Sequence, residues 1–261
     1  MSTIIALLPI YFTFITSIKS YEEFFRNPAG FPNRLLLDNY VGMIFEKGGL
    51  KYLTNSMVIS CSSTLIVVLC SLLAGYAFAK IKFRYKEHIF LYFLLGMMIP
   101  EAGIFPALFT EIRNLNLMNT YLGVILPEVA FQLPLGIFLM RTFLMQIPDE
   151  VLEAAKIDGA REFTIVARII LPLAQPAILS LAVLSFMFAW QRYLIPLAIL
   201  QEPGLRPLTV AIFYFVGRYM IDYPGISAAS LFSIAPLLLL FFIAQRAFSR
   251  GLSALVGPSM K

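Results

Sequence analysis

Residues 53–79 read LTNSMVISCSSTLIVVLCSLLAGYAFA and contain no charged side chain. At about 1.5 Å per residue, a helix of this length exceeds the roughly 30 Å of hydrocarbon in a bilayer. In lipid every backbone N–H and C=O group must be bonded within the chain, so a long apolar run predicts a membrane-spanning helix. This stretch therefore predicts the fold class, an all-α membrane protein.

The composition of the whole chain agrees with this prediction. Of 261 residues, 59% are hydrophobic and 13% are charged, and the mean hydropathy is +0.82. A soluble domain carries about 45–50% apolar and 25% charged residues. Disordered, collagen-like and disulfide-rich secreted proteins are excluded as well. Cys61 and Cys70 are nine helical residues apart and point to opposite faces, so they cannot form a disulfide with each other.

Apolar runs predict about six transmembrane helices in a single transmembrane domain over residues 1–261. The runs are 4–18, 53–79, 89–110, 121–140, 175–200 and 226–244. All but the first are long enough to cross the membrane. The first run begins almost at the initiator and lacks the basic leader of a signal peptide, so it is either a short span or one whose first residues are missing.

Basic residues predict the orientation. Residues 80–86 hold four of them in one gap between spans, and Arg246, Arg250 and Lys261 follow the last span. Lys and Arg are retained on the cytoplasmic side, and with six spans both termini are then cytoplasmic. The same clustering argues against a nucleic-acid partner despite the net charge of +5, because no stripe of phosphate-binding residues is formed.

One predicted cytoplasmic segment has a charged composition that insertion into lipid does not explain. Residues 147–172 read IPDEVLEAAKIDGAREFTIVARIILP. Pro148 followed by two acids predicts a helix start, Gly159 predicts a turn, and Pro172 ends a second stretch. Four residues give the first helix an apolar side: Val151, Leu152, Ala155 and Ile157. The helix is either a docking element for another protein or an amphipathic connector on the headgroups, and its acids weigh somewhat against the connector.

The same segment resembles the EAA motif of the permease subunits of ABC importers. The matching residues are Glu153-Ala154-Ala155, Gly159, Ile169 and Leu171-Pro172. Residues 76–84, 117–121, 157–160 and 190–197 resemble the maltose-type carbohydrate importers, so the similarity covers nearly the whole chain. The chain departs from that family in lacking a basic N-terminal leader and in reading Trp190-Gln191-Arg192-Tyr193 where the family has a Trp-Asn-acid/aromatic pattern.

The resemblance implies a type I ABC importer permease fold, with a permease core over residues 53–245 and a coupling loop over residues 147–172. Residues 153–159, including Asp158, would form a coupling helix in a groove of a separate ATPase. Glu153 would contact a basic residue there, and Gly159 would allow the turn. The implied partners are a second homologous permease, two ABC ATPase subunits, an extracytoplasmic solute-binding protein and membrane lipid, in the plasma or inner membrane of a prokaryote.

No catalytic site is predicted in this chain. It has no Gly-x-x-x-x-Gly-Lys-Ser/Thr loop for nucleotide phosphates, so ATP and magnesium are expected in the partner ATPase. Clustered metal ligands are missing from the sequence, and the single histidine, His88, is expected at the surface.

Three charged residues lie within the predicted spans: Glu101, Glu128 and Arg192. Counted from the outer ends of their spans, all lie about 10–14 Å deep. Buried charge is costly, so they predict either a polar ring that meets sugar hydroxyls or a structural ion pair. A break after Pro100 that leaves Glu101 in a wet bend is a third possibility. In the first case Trp190 and Tyr193 would offer stacking faces beside Gln191.

The sequence thus predicts a permease subunit that forms half of the pathway for a sugar or sugar-like solute in an ATP-driven importer. One alternative is an ion-coupled secondary transporter with proline-broken helices and Glu101 and Glu128 as proton sites. Another is an ABC importer permease for a non-sugar solute. A membrane enzyme finds no pair of nucleophile and base.

Overall fold

The computed structural model describes the backbone of residues 2–215 and 221–256 and the side chains of residues 7–213 and 221–242. Within these ranges no β-strand occurs, which confirms the predicted all-α class. The α-helices are α1 (Ser2–Ser17), α2 (Tyr21–Arg26), α3 (Asp38–Val41), α4 (Gly49–Lys80), α5 (Lys86–Leu95), α6 (Glu101–Asn114), α7 (Leu122–Leu144), α8 (Asp149–Ile157), α9 (Glu162–Ile165), α10 (Leu171–Leu173), α11 (Gln175–Gln191), α12 (Leu194–Ile199), α13 (Leu208–Ala211) and α14 (Tyr223–Val256). Gly42–Glu46 and Val166–Ile170 are π-helical, and Gly96–Met98, Pro203–Leu205 and Ile212–Phe215 are 3-10 helices.

Among the described residues, three helices are long and apolar enough to cross a membrane: α4, α7 and residues 223–242 of α14. The number rises to five if each of two bent helix pairs is one span. The count of six and the cytoplasmic position of both termini stay predictions. Lys261 and the side chains of Arg246 and Arg250 lie outside the described residues.

The run 89–110 is not one straight helix. α5 and its 3-10 extension end at Met98, and the helix axis turns by 99° before α6 begins at Glu101. Ile99 and Pro100 are extended, with ψ values of 114° and 126°. Proline disfavours the helical conformation of the residue before it, which explains the break at Ile99. Glu101 therefore begins a new helix directly after the bend.

The run 175–200 is broken as well, between Gln191 and Leu194. Pro196 has no N–H group to donate to the carbonyl of Arg192 four residues earlier, and its ring would crowd that carbonyl in a continuous helix. The Arg192 carbonyl instead accepts a hydrogen bond from Thr209 Oγ1 at 3.1 Å. The polar pair Arg192-Tyr193 thus lies in a non-helical link.

The chain forms two compact units. The first comprises the residues up to Val58 together with Gln191–Leu239. Within it, Asn55 of α4 donates to the carbonyls of Gly204 and Arg206, and Ser56 Oγ accepts from the Leu208 N–H at 2.8 Å. These bonds hold the chain after α12 against the first turns of α4.

The second unit comprises Ile59–Trp190 and the chain from Leu240 on. In it α4 and α7 pack closely at two glycines, Gly75 beside Met140 and Gly136 beside Ser71. Small residues at such contacts let the helix backbones approach each other in lipid. The last turns of α4 and α7 therefore lie side by side, where residues 147–172 leave α7.

α5 is held to the same end of α7. Arg141 Nη2 donates to both carboxylate oxygens of Glu87 at 2.7 Å, and its guanidinium lies 3.9 Å from the ring centre of Phe90. Phe78, Phe90 and Ile137 form a buried cluster beneath this contact. The three helix ends together form a base for the segment that follows.

Candidate functional site

The candidate site is the segment 147–172, which forms two short helical arms joined by a tight turn. The first arm, α8, follows Pro148, whose ψ of 140° directs the chain into the helix. Asp149 and Glu150 occupy its first turn. Acidic side chains are favourable there because the N-terminal end of a helix carries partial positive charge.

The turn between the arms depends on Gly159, which adopts a left-handed conformation with φ of +78°. The Gly159 N–H donates to the carbonyl of Lys156 at 3.0 Å, and the Ala160 N–H donates to that of Ala155 at 2.9 Å. This pair of bonds is the Schellman motif, which closes the C-terminus of a helix. No heavy atom lies within 4 Å of a Cβ built on Gly159, so glycine is required for its backbone conformation and not for lack of space. The predicted turn is thus present.

The second arm comprises α9, a π-helical turn and α10. The Leu171 N–H donates to the carbonyl of Val166, five residues back. Pro172 follows directly, and in a regular helix its ring would clash with the Arg168 carbonyl. The wider π turn accommodates the proline, and the arm then meets α11 at 78°.

α8 is attached to the end of α4 by Lys80. Lys80 Nζ donates to Asp149 Oδ1 at 2.6 Å and also to the carbonyl of Ile147. The side chain of Lys80 is only 6% exposed, whereas that of Asp149 is 75% exposed. The lysine is therefore the fixed half of the contact, and the start of α8 is held on it.

α9 is attached to α4 one turn earlier. The buried hydroxyl of Tyr76 donates to Glu162 Oε2 at the start of α9, and Lys156 Nζ lies 2.8 Å from Glu162 Oε1. Glu162 thus joins α4, α8 and α9 through one carboxylate.

Both acids titrate below their ordinary range. The hydrogen bond from Lys80 lowers the pKa of Asp149, and the charges of Lys80, Lys82 and Lys86 lower it further. The hydrogen bonds from Lys156 and Tyr76 lower the pKa of Glu162. Both carboxylates are consequently charged at neutral pH, and the contacts persist there.

A cleft of about 380 Å³ lies between the end of α4 and the first arm. Its walls carry three basic and three acidic residues: Lys80, Lys82, Lys156, Asp149, Glu153 and Glu162. Two of the lysines bind carboxylates across or beside it, so the cleft is polar and internally balanced in charge.

The outer face of the segment is open and partly apolar. Ile157 is 86% exposed and Phe163 is 82% exposed, on either side of the turn, and Glu153, which lines the cleft, is also open to solvent. The apolar side expected for the first helix is divided, because Leu152 and Ala155 are buried whereas Val151 and Ile157 face outwards. Leu152 and Ala155 seat α8, and Ile157 belongs to the outer face.

The residues of the predicted coupling motif fall into two groups. Ala155 is buried and Ile169 is half-buried, so these two support the arms. The other six are exposed: Glu153, Ala154, Asp158, Gly159, Leu171 and Pro172.

The residues expected along a solute pathway are distributed over both units. In the second unit, Glu128 of α7 is buried and accepts a hydrogen bond from Gln132 Nε2 at 2.6 Å. Trp190 is buried and stacks on Phe186 of the same helix at 5.4 Å. Glu101, half-buried, begins α6. In the first unit, Gln191 is exposed and Arg192 and Tyr193 are half-buried.

Sequence reasoning missed the contacts that hold the two arms. It treated Lys80 as an orientation signal and gave no role to Tyr76 or to Glu162. One signal was available: Tyr76 and Lys80 are four residues apart at the end of a long helix and therefore share a face. In the part of the chain that the structure describes, no group of three or more His, Cys, Asp or Glu residues is placed to hold a metal ion.

Comparison with known proteins shows which family this chain belongs to. Residues 67–254 match the family described as "Binding-protein-dependent transport system inner membrane component". A probable ABC transporter permease of Pyrococcus horikoshii is 32% identical, over 94% of this chain and 90% of the relative. An arabinooligosaccharide transport system permease of Halalkalibacterium halodurans is also 32% identical, over 95% of this chain and 90% of the relative. A diacetylchitobiose uptake system permease of Streptomyces coelicolor is 29% identical, over 96% and 84%.

Among solved structures, a bacterial ABC transporter involved in the import of the acidic polysaccharide alginate is similar to this chain. The TM-score is 0.78 at 23% sequence identity, over 94% of this chain and 92% of the other. This likeness confirms the predicted permease fold. Together with the family match over most of the chain, it shows that the protein belongs to the inner-membrane components of binding-protein-dependent transport systems, the permease subunits of ABC transporters.

Proposed function

We propose that this chain is one of two homologous permease subunits of an ATP-driven importer, and that it docks on a separate ATPase through residues 147–172. The supporting observation is the outer face of the two arms, where Ile157 and Phe163 are exposed, together with the exposed acid Glu153 at the cleft beside it. Large apolar side chains that are more than four-fifths exposed, here one on each side of the turn, mark a contact surface. The acid beside them suits a groove that contains a basic residue.

The segment is suited to pass on a displacement and not to perform chemistry. The hydrogen-bonded turn at Gly159 and the Lys156–Glu162 contact fix the two arms relative to each other. ATP and magnesium bind in the partner, and closure of two ATPase subunits moves the docked arms as a rigid body. The permease then alternates between inward-facing and outward-facing states.

The solute is proposed to be a carbohydrate. Relatives named for arabinooligosaccharides and diacetylchitobiose align over nearly the whole chain, and the similar solved transporter is described as importing alginate. A structure of a bacterial alginate ABC transporter in complex with an alginate pentasaccharide-bound periplasmic protein is also similar, with a TM-score of 0.66 at 16% identity. The proposed source of solute is accordingly an extracytoplasmic binding protein, and the proposed location is the inner or plasma membrane of a prokaryote.

The solute pathway is proposed to include the link between α11 and α12. Irregular backbone at membrane depth is tolerated where it is buried in protein or lines a water-filled cavity. Gln191, Arg192 and Tyr193 would offer amide, guanidinium and ring contacts to sugar hydroxyls. Glu101 follows a similar break, whereas the contacts of Glu128 with Gln132 and of Trp190 with Phe186 favour supporting roles for those two residues.

Docking is tested by affinity purification of the tagged chain from its own cells. Glu153→Arg and Phe163→Asp should each lose most of the co-purified ATPase activity while the permease still inserts and elutes as a single species. Glu111→Arg is the matched control, because Glu111 is an exposed acid on α6. Undiminished ATPase recovery with both segment variants would refute docking at this face.

Because the chain belongs to the ABC transporter permeases, the alternative of an ion-coupled transporter is rejected. The alternative that remains is a solute that is not a sugar. A ligand screen on the cognate binding protein separates the two possibilities. Binding of oligosaccharides or monosaccharides supports the carbohydrate proposal, and exclusive binding of an amino acid, peptide or inorganic ion contradicts it.

A further inference from the structure

In the chain, α8 follows α7 and α9 leads to α11, so neither arm is next to α4 in sequence. Only non-covalent contacts link α4 to the two arms. Two residues on the last turns of α4 make the link. Lys80 binds Asp149 and the Ile147 carbonyl where the first arm begins, and Tyr76 binds Glu162 where the second arm begins. Residues four apart share one helix face, so one face of α4 holds both arms.

The two donors are the buried members of these contacts. Tyr76 is 4% exposed and the Lys80 side chain is 6% exposed. Hydrogen bonds to a charged partner are roughly twice as strong as neutral ones, and a buried ammonium left unpaired is costly. The arms are therefore held on α4 more firmly than an exposed ion pair would hold them.

α4 is also suited to transmit a displacement of the two arms along its length and to α7. It runs without a proline from Gly49 to Lys80, a length of about 48 Å at 1.5 Å per residue. Next to Tyr76, Gly75 packs against Met140 of α7. A movement imposed on Tyr76 and Lys80 is thus imposed on a rigid helix that is packed against a second one.

We propose that Tyr76 and Lys80 are positioning residues that make α4 move together with the two arms of residues 147–172. The role in transport rests on the proposed function, whereas the attachment itself does not. A simpler role for Lys80 would be that of one more cytoplasmic basic residue that sets orientation. Lys82 provides the matched control, since it lies in the same basic gap and is exposed.

The attachment is tested first without nucleotide, on the full-length chain in detergent. One spin label is placed on Cys70, a free and exposed cysteine of α4, and the other on Glu150→Cys of α8, in a Cys61→Ser background. The parent should give a narrow distance distribution. Tyr76→Phe with Lys80→Met should broaden it at least twofold, whereas Lys82→Met and the conservative Lys80→Arg should leave it narrow. A double variant as narrow as the parent would overturn the proposal.

The second measurement uses the co-purified complex with and without ATP, with EDTA present to prevent hydrolysis. In the parent the distance between the labels should stay constant, because α4 and α8 move together, and in the double variant it should shift on ATP binding. A constant distance in the double variant means that α4 follows by packing alone and overturns the proposal. A parent complex without ATPase activity contradicts the proposed function instead, and the first measurement then still decides the attachment.

Discussion

Gly75 lies so close to Met140 that a Cβ atom built on it would come within 2.6 Å of the Met140 Cβ. The same atom would lie 3.0 Å from the backbone nitrogen of Arg141. Real Cβ atoms do not approach other atoms this closely, and no rotation of a side chain relieves a clash with the backbone. α4 and α7 can therefore adopt this crossing only with glycine at position 75.

The first prediction follows from this contact. Gly75→Ala should force α4 and α7 apart and destabilise the protein by about 1–3 kcal/mol, the usual range for overpacking. The measurement is the thermal midpoint of the detergent-solubilised protein, followed by the loss of its monodisperse peak. A midpoint equal to that of the wild type would show that the helices separate without cost and that the crossing is not tight.

A second prediction concerns the other glycine of this crossing. A Cβ on Gly136 would lie 2.2 Å from Ser71 Oγ, which is a side-chain atom. Gly136→Ala should thus destabilise, and adding Ser71→Ala should restore most of the loss. Ser71→Ala alone should be close to neutral, because Ser71 Oγ is buried without a hydrogen-bond partner. Failure of the pair to recover stability would place the strain in the backbone.

The third prediction concerns the turn between the arms. Gly159→Ala should weaken the turn by about 1 kcal/mol, because a left-handed conformation is unfavourable for a residue with a Cβ atom. Gly159→Asn should have a smaller effect, since asparagine tolerates this region better. The readout is ATPase recovery and label mobility at Ala154→Cys. Gly42→Ala is the control, because Gly42 has a φ of −59° and room for a Cβ, and an equal effect at both glycines would contradict the backbone explanation.

The prolines in the apolar runs show that the sequence predicts where helices lie but not where they break. Pro127 and Pro134 lie inside α7 and leave it a continuous helix, whereas the chain breaks at Pro100 and before Pro196. All four lie within apolar runs, so hydropathy treats them alike. At the break before Pro196 the freed Arg192 carbonyl is bonded by Thr209, a partner 17 residues away in the chain that hydropathy does not indicate.

The local structure of residues 147–172 was more predictable because its signals are local. The turn at Gly159 needs a glycine and a run of helix formers, and both stand in the sequence. Its attachment to α4 was not predictable, because Lys80 and Asp149 are far apart in the chain and either could have been an ordinary surface charge. The positive charge of Lys80 predicted only that it lies on the cytoplasmic side. The structure shows that its ammonium donates to Asp149 and to the carbonyl of Ile147.

A fourth prediction follows from the lowered pKa of Asp149, which the hydrogen bond from Lys80 chiefly causes. A carboxylate whose pKa is lowered by folding stabilises above its unfolded value and loses that effect as the pH falls through the folded value. Since unperturbed aspartate titrates near about 3.9, the contact should persist down to about pH 5 and weaken below about pH 4. A spin label at Glu150→Cys should become mobile only in that acidic range. Asp149→Asn should raise its mobility at neutral pH as well and reduce the acidic transition to the part that Glu162 contributes. A label that loosens near neutral pH in the parent would contradict this.

The last prediction concerns a buried lysine at the end of α1. Lys19 is 0% exposed, and its Nζ donates to the carbonyls of Asn27 and Pro28 at 2.7 and 3.0 Å. Lys19→Met retains the stem but leaves both carbonyls without their donor, at a cost of about 1–3 kcal/mol for each group that stays buried. The loop after α2 should then open, so trypsin should cut faster after the exposed residues Arg26 and Arg34 in the detergent-solubilised variant. Lys51→Met removes an exposed lysine from the first turn of α4 and should leave the rate unchanged. Equal rates in the Lys19 variant and the wild type would mean that the aromatic contacts of Phe24 and Phe25 with Tyr223 hold the loop without the lysine.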